Sequence, residues 1–576
     1  MGWTRGPSSP RPPSRFGPTT PRPRSRPASS RWSTGSCRWW CGWWSAARWP
    51  GSTAGSICPR RRPPRCRGGG ARARRIDVRA LISTYDKTGL DRLGPWLVAQ
   101  GVEVWATGGT AETLRRLGVP VRDTSAVTGF VDLLEGRVKT LHPALYAALL
   151  ARPTPDDARA LAAAGIDPID LVVVNLYPFR ATWLAGRAEP ELVEQIDIGG
   201  VSLLRAGAKN FERVTVLSDP RQYDEAMARG TAGWDRAWRK ALAAAAFRLV
   251  AAYDADIAAA LAPADEGWPE RLVLTGDRFG DLRYGENPHQ AAAFYRRPGG
   301  YGLADARLLQ GKPLSYNNLA DADTAWRLAF EFEEPACVAV KHQTPCGVAR
   351  GRDAVEAYRR AREADPVSIF GGIVAFNRPV DAPVAEELTQ IFLEVVIAPA
   401  VTEAARAVLA KKPNLRVLEL GTPRGVEWDV RSLSGGWLVQ EADRPTVSPE
   451  AWRRVAGPEV DAAGRGDLAF AWTVVRYVKS NAVCLARDGQ TVGIGSGQTN
   501  RIDAVRQALE RAGTRARGAV LASDAFFFPD TVEALAAAGV RAAVSPGGSV
   551  RDREVLAAAE AAGLSLWFTG ERHFRH

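Results

Sequence analysis

The chain has 576 residues, 45% of them hydrophobic, and a formal net charge of +13. At roughly 100–200 residues per domain this is several domains, and no run approaches the ~20 apolar residues that would cross a bilayer as a helix. The charge alone would point to nucleic acid or a membrane surface, but it is confined to the first 75 residues, which hold seventeen arginines and no lysine, aspartate or glutamate. The remainder carries −4.

Those first residues also contain seven of the nineteen tryptophans and four of the seven cysteines, without a helical or strand period. Three readings compete. Arginine and serine richness fits an organellar transit peptide, but the density of proline opposes an amphipathic helix. An RNA-binding arm with stacking tryptophans would suit the charge. The preferred reading is a disordered leader, 1–77, translated from a mis-called start in a GC-rich gene, with Val78 as the true initiator. Without it, Cys337, Cys346 and Cys484 remain, with no metal-type spacing; this implies a reducing cytoplasm.

From residue 79 the pattern alternates. "RALIST" (79–84) and "VEVWAT" (102–107) read as strands, and "GLDRLGPWLVAQ" and "AETLRRLGV" as helices, the latter opened by "GGT". "DLVVVNLYPF" (170–179) is a buried strand with a polar end, "VTVLSD" (214–219) another, and "DRAWRKALAAAAFRLVAAYDADIAAALA" a helix whose apolar excess predicts packing between domains or subunits. The class is α/β with a parallel sheet, in which ligands gather at the carboxyl ends of strands.

At those ends Gly108 and Gly109 permit close backbone approach, Thr110 supplies a hydroxyl, Lys87 a charge, and a helix N-terminus a positive dipole. The combination fits a phosphate, although such glycine pairs often only cap a helix. "EGRVKTLHPALYAALLARP" (135–153) then clusters Arg137, Lys139, Thr140 and His142. "EQIDIGGVSLLRAGAKN" adds Asp197 and Lys209. Against sixty-seven arginines the chain has nine lysines, and all but Lys240, Lys411 and Lys412 fall in motif-like stretches, which points to positions where a permanently charged guanidinium serves less well than an amine that can exchange a proton. Farther on, "VKHQTPCGVA" sets Lys341 beside His342, one of five histidines.

Together "STYDKTGL", "ATGGTAETLRRLGVPVRDTSAVTGF", "GRVKTLHPALYAALLAR", "VVVNLYPF" and "EQIDIGGVSLLRAGAKN" resemble the inosinate cyclohydrolase half of the bifunctional purine biosynthesis proteins. "LRYGENPHQAAAFY", "QGKPLSYNNLADADTAW", "VKHQTPCGVA", "DPVSIFGGIVAFNRPVD", "VKSNAVCLARDGQTVGIGSGQTNRIDA" and "ASDAFFFPD" resemble the AICAR (phosphoribosylaminoimidazolecarboxamide) formyltransferase half. The resemblance spans about 79–576. It implies a methylglyoxal-synthase-like doubly wound domain over 78–275, then two deaminase-like α/β units over 276–576. It also implies formyl transfer from 10-formyltetrahydrofolate to AICAR, dehydrative closure of formyl-AICAR to IMP, a cytoplasmic homodimer, and no catalytic metal, nucleic-acid or membrane partner.

By the same resemblance His342 is the base that takes the proton of the 5-amino group, Lys341 stabilises charge or protonates the departing folate nitrogen, and Asn481 holds the carboxamide. Arg283, Tyr284, Arg501 and Arg572 contact nucleotide, and Phe526 lines the folate pocket unless it is plain core. Gly372 stands where some members have an acidic residue. In the first half Lys209 transfers a proton. Tyr85, Asp86, Lys87, Thr107, Gly108, Gly109, Thr110, Arg137, Lys139, Thr140, Val174, Asn175, Asp197 and Ile198 surround the nucleotide. Tyr177 donates to the oxyanion or merely packs. A zinc deaminase is the rival class; "PC" at 345–346 begins its signature, but position 349 is alanine and no H-x-E partner occurs. The non-enzyme rival, a nucleic-acid-binding protein, rests on the leader alone.

A chain beginning at Val78 is expected to keep the parent melting temperature and both activities, since no core residue is removed. Native protein whose N-terminus lies well upstream, with function lost on truncation, would refute the leader reading.

Overall fold

The computed structural model describes residues 78–576 except 131–133, 135–136, 264, 266 and 426–427. The leader reading therefore lies outside the described residues. The first sheet is made of β1 (Arg79–Thr84), β2 (Glu103–Ala106), β3 (Val121–Asp123), β4 (Leu171–Asn175) and β5 (Thr215–Leu217), in the order β3-β2-β1-β4-β5 and parallel throughout. Its central strands are apolar on both faces, as a sheet covered on both sides requires. Leu81 and Val172 pack into one core, and Ile82 and Val173 into another.

Two expectations shift. The "GGT" turn does not precede the second helix; it is its first turn, Gly108–Arg116, with Thr107 as the extended N-cap residue. The long helix Arg236–Leu261, capped by Asp235 through the Trp238 N–H, buries Trp238, Leu242, Ala243, Ala246 and Val250 in the cores of the five-stranded sheet itself. Its apolar excess thus covers its own domain.

An antiparallel ribbon, β6 (Asp277–Leu282) and β7 (Ala292–Arg296), comes next. The second sheet has twelve strands. Its first six are β8 (Arg307–Gln310), β9 (Ala336–Lys341), β10 (Thr344–Arg350), β11 (Ile373–Phe376), β12 (Val395–Ala398) and β13 (Arg416–Glu419). The ribbon β14 (Trp428–Leu433) and β15 (Gly436–Glu441) stands apart. The sheet resumes with β16 (Arg453–Ala456), β17 (Val483–Arg487), β18 (Gln490–Gly495), β19 (Val520–Ser523), β20 (Ala542–Ser545) and β21 (Ser565–Phe568). The order β16-β21-β20-β19-β17-β18-β10-β9-β11-β12-β13-β8 is a mirror arrangement of two six-stranded halves that meet where β10 pairs antiparallel with β18.

The halves are copies in topology. In each, a helix (Tyr316–Ala329 or Ala462–Val475) precedes a two-residue hairpin, a crossover helix and three parallel strands. Successive β9 residues face opposite sides of the sheet. Ala336, Val338 and Val340 join a core shared by both halves, in which Phe332 stacks on Phe470 at 5.2 Å, whereas Cys337 and Ala339 enter a separate core on the other face. At the seam the crossover helices press on glycine. A Cβ on Gly347 would lie 2.1 Å from the Ala361 carbonyl oxygen, and one on Gly493 2.1 Å from that of Ala508.

Gly347→Ala must therefore push a helix off the sheet, and overpacking of this kind costs about 1–3 kcal/mol. Thermal melting should show a clear fall in Tm; an unchanged Tm would mean the seam has slack that this packing denies.

Candidate active sites

The carboxyl ends of β1, β2 and β4 open into a cavity of about 690 Å³. Thr84, Tyr85 and Lys87 reach it from the end of β1 and the loop that follows, Thr107 to Thr110 from the N-cap and first turn of the helix after β2, and Asn175 and Tyr177 from the end of β4 and just beyond it. Arg137, Lys139, Thr140 and Asp197 to Gly200 close it. Thr110 ties two of these loops: its hydroxyl accepts from the Thr84 N–H (3.1 Å), lies 3.0 Å from the Thr84 carbonyl, and receives Lys87 Nζ at 3.2 Å. Burial lowers the Lys87 ammonium below its ordinary range.

The opposite wall is equally determined. Asn175 Oδ1 accepts the N–H groups of Tyr85 (2.6 Å) and Asp86 (2.9 Å), and its Nδ2 donates to the Asp86 carbonyl at 2.8 Å, so this side chain braces the β1 loop. Asp86 itself is outside the cavity lining; it accepts from the Thr88 N–H and hydroxyl, which hold its carboxyl below the usual range. Tyr85 and Tyr177 meet edge to face at 5.7 Å. A Cβ on Gly199 would lie 2.8 Å from Thr140 Oγ1 and one on Gly200 2.4 Å from Asp197 Oδ2, so either substitution would displace the neighbouring side chain.

Asp197 accepts from the Gly200 N–H at 2.6 Å, while its own N–H donates to Tyr253 Oη at 3.0 Å and that hydroxyl donates to the Gln195 carbonyl at 2.6 Å. Burial raises the Asp197 carboxyl. Tyr253, and Glu194, which opens the "EQIDIGG" stretch and ion-pairs with Arg137, are neighbours of the cavity that the sequence did not single out. Tyr253 comes from the long helix, about sixty residues downstream in sequence, and carries no local signal. Lys209 is separated from this group. It ends helix Gly199–Lys209, roughly 15 Å along the axis from its start at the usual rise per residue, and lines a different cavity of about 580 Å³ with Arg205, Lys240 and Phe247.

The chemistry available in the larger cavity is anion binding by Lys87, Lys139, Arg137 and two helix N-termini, beside a tyrosine hydroxyl and a buried carboxyl.

The second constellation forms at the seam of the twelve-stranded sheet. His342 and Gln343 are the two-residue turn between β9 and β10, both left-handed (φ 56° and 58°), and Asp321 accepts their N–H groups at 3.1 and 2.6 Å. Lys341 Nζ donates to the Phe370 carbonyl at 2.9 Å. Antiparallel pairing of β10 with β18 carries that turn toward the Gly495 end of β18, where Asn481, at the entry to β17, donates Nδ2 to the Gln498 carbonyl at 2.8 Å. The C-terminal segment closes the group. The Ser480 N–H donates to the Arg575 carbonyl (2.9 Å), and Arg575 Nη2 donates to Thr324 on the helix that carries Asp321 (3.2 Å).

Arg501, which the resemblance sets at the nucleotide, is nearly buried. Only 6% exposed, it ion-pairs with the fully buried Asp524 and donates to the Ala482 carbonyl at 2.9 Å, so it fixes the segment behind Asn481. Arg572 is exposed and lies over the Phe574 ring at 4.4 Å, and Arg283 over the Tyr284 ring at 4.6 Å. Phe526 is half-buried, edge-on to Phe528 at 5.5 Å. Gly372, where an acidic side chain was expected to be missed, has backbone on top of it: a Cβ would lie 3.1 Å from the Val340 carbonyl oxygen. Among the described residues no group of three His, Cys, Asp or Glu side chains is placed to hold a metal ion.

The first sheet and its cavity define an MGS-like domain, matched over residues 93–202, followed by a duplicated α/β region. Residues 207–511 match the AICARFT/IMPCHase bienzyme family. The chain is 49% identical over 520 residues to the bifunctional purine biosynthesis protein PurH of Desulfitobacterium hafniense, covering 87% of this chain and 100% of that one. It is 48% identical to that of Mycobacterium marinum (87% and 99%) and 47% identical to that of Cutibacterium acnes (86% and 98%). The chain belongs to this family of bifunctional purine biosynthesis enzymes, which join an AICAR formyltransferase to an IMP cyclohydrolase.

The raised Asp197 carboxyl has a predictable linkage. A carboxyl raised by folding favours the folded state below the ordinary carboxylate range, and that contribution is lost as pH rises through the raised value. Asp197→Asn removes the cost of ionisation and keeps an acceptor for the Gly200 N–H. Its Tm relative to the parent should therefore be more favourable at about pH 8 than at about pH 4; paired thermal melts showing no such trend would refute the burial argument.

Proposed function

We propose that the two activities occupy the two constellations separately, ring closure in the cavity of the 78–275 domain and formyl transfer at the seam of 276–576. The carrying observation is that Lys87, Arg137, Lys139 and Tyr177 line one cavity on the five-stranded sheet, whereas His342 stands on the β9–β10 turn of the separate twelve-stranded sheet. AICAR, formyl-AICAR and IMP all carry a phosphate, which the Lys87, Lys139, Arg137 and helix-terminus wall complements.

In formyl transfer the 5-amino nitrogen of AICAR attacks the formyl carbon of 10-formyltetrahydrofolate. Its lone pair is delocalised into the ring, so proton removal must accompany attack, and His342 is the group suited to this near neutral pH. The departing folate nitrogen leaves with its electron pair and takes a proton, with Lys341 beside it. Asn481 holds the carboxamide, and Arg283, Tyr284 and Arg572 provide polar and aromatic surface for the nucleotide. The half-buried Phe526 offers a face for the folate ring.

Ring closure joins a carboxamide nitrogen to a formyl carbon in the same molecule, so orientation supplies much of the rate. Tyr177 donates to the developing oxyanion, and Asp197 and Lys139 manage the proton released and the water lost. Lys209 lines the separate cavity with Arg205 and Lys240.

The enzyme acts as a cytoplasmic homodimer in this reading. Exposed apolar side chains on the two projecting ribbons, Phe279 and Tyr295 on one and Trp437 and Leu438 on the other, support a partner there. The free thiols of Cys337, Cys346 and Cys484 fit a reducing compartment.

His342→Ala should lower formyl transfer by about 10²–10⁴ while closure of supplied formyl-AICAR continues, and Tyr177→Phe should do the reverse. Tetrahydrofolate and IMP release, followed separately, check both. One substitution abolishing both activities in a folded protein would overturn the two-site reading.

A further inference from the structure

We propose that Asp321 is a positioning residue for formyl transfer, its carboxylate holding the His342–Gln343 turn in the conformation that presents the imidazole to substrate. This rests on the reading of His342 as the base.

The two halves of the large sheet contain the same device. Asp321 is the sixth residue of helix Tyr316–Ala329 and accepts the N–H groups of His342 and Gln343; Asp467 is the sixth residue of Ala462–Val475 and accepts those of Asp488 (2.9 Å) and Gly489 (2.7 Å). Residues 321, 342 and 343 each stand 146 positions before 467, 488 and 489. All four turn residues are left-handed, with φ of 56° and 58° in the first copy and 53° and 68° in the second. Both turns are the two-residue hairpin type that needs positive φ at both positions.

The copies differ in what the turn is made of. Asp488–Gly489 is a sequence that adopts this turn unaided, because glycine has no Cβ penalty and aspartate tolerates the region. His342–Gln343 lacks both advantages. A non-glycine pair held left-handed persists only where its surroundings over-determine it, and Asp321 is the group that meets both N–H donors. Its counterpart Asp467 is 3% exposed and also lies 3.5 Å from Arg541, a scaffold setting, whereas Asp321 is half-buried and the His342 it holds is exposed. The first copy thus has a side chain suited to proton transfer where the second has an ordinary turn residue, and the carboxylate compensates for the lost turn preference.

The full chain is assayed with AICAR and 10-formyltetrahydrofolate, and with supplied formyl-AICAR as an internal control. Asp321→Ala should lower kcat for formyl transfer about 10–100-fold, as expected for a displaced reactive group, with KM for AICAR within about threefold and ring closure unchanged. Asp321→Asn, which preserves shape and one acceptor, should fall between. Adding Gln343→Gly to Asp321→Ala should recover at least about fivefold, because glycine restores the turn's own preference. Asp467→Asn should leave formyl transfer within about twofold, because Asp488–Gly489 forms its turn without help. Unchanged kcat in both Asp321 variants, or a loss that Gln343→Gly does not relieve, overturns the proposal while leaving His342 as base. Retained formyl transfer in His342→Ala would instead remove the base reading, and the proposal with it.

Discussion

The antiparallel contact of β10 with β18 is the constraint on which the larger region depends. Thr491 Oγ1 accepts the Val348 N–H at 3.0 Å and lies 3.3 Å from the Val348 carbonyl, while the Arg350 N–H donates to the Gly489 carbonyl at 2.9 Å. These bonds join two six-stranded halves into one sheet. Because the strands run in opposite directions, the turn at the start of β10 comes level with the end of β18 and the entry to β17. His342 and Asn481 belong to different copies, and this pairing sets them toward the same end of the sheet. Gly347 and Gly493 make it possible by letting a helix from each copy sit directly on the seam.

The first domain solves a different problem. A parallel sheet ends in loops that would splay apart, yet a walled cavity needs them to converge. Thr110 joins the loop after β1 to the helix after β2, and Asn175 joins the same loop to β4. Both side chains saturate backbone groups that would otherwise require water. The cavity is thereby held open by short polar bonds among its own walls, and Thr140 and Asp197 crowd the backbone at Gly199 and Gly200. Tyr253 extends the support from behind, so that the Asp197 loop is anchored to the long helix.

Duplication explains the asymmetry of the larger region. Two copies supply twice the strands for one continuous core, in which Trp326, Phe332, Phe470 and Trp472 pack together. Local sequence then differs at the turns that the two copies share, His342–Gln343 in one and Asp488–Gly489 in the other. Asp524, fully buried, shows the complementary use of the second copy. It accepts from Arg501, the Ser480 hydroxyl and the Ala482 N–H (3.1 Å), making a rigid platform for Asn481. One copy presents the histidine and the other braces the amide.

The sequence by itself determined the class of the protein and most of its local structure. Strand runs such as 79–84, lysines kept against a background of arginine, and motif-dense turns are short-range signals, set by side-chain periodicity, backbone preference and proton chemistry. The surroundings of Arg501 and Lys209 were not legible in that way. An arginine beside a glycine-rich turn reads the same whether it faces a ligand or a buried Asp524, and a lysine ten residues beyond Gly199 reads as a neighbour until a rigid helix sets it at the far end. Tyr253, Asp321 and the seam were equally hidden, because each acts through a contact between segments far apart in the chain. Tertiary structure decided these, since a hydrogen bond's worth depends on which donor the fold brings within about 3 Å, and no local pattern encodes that distance.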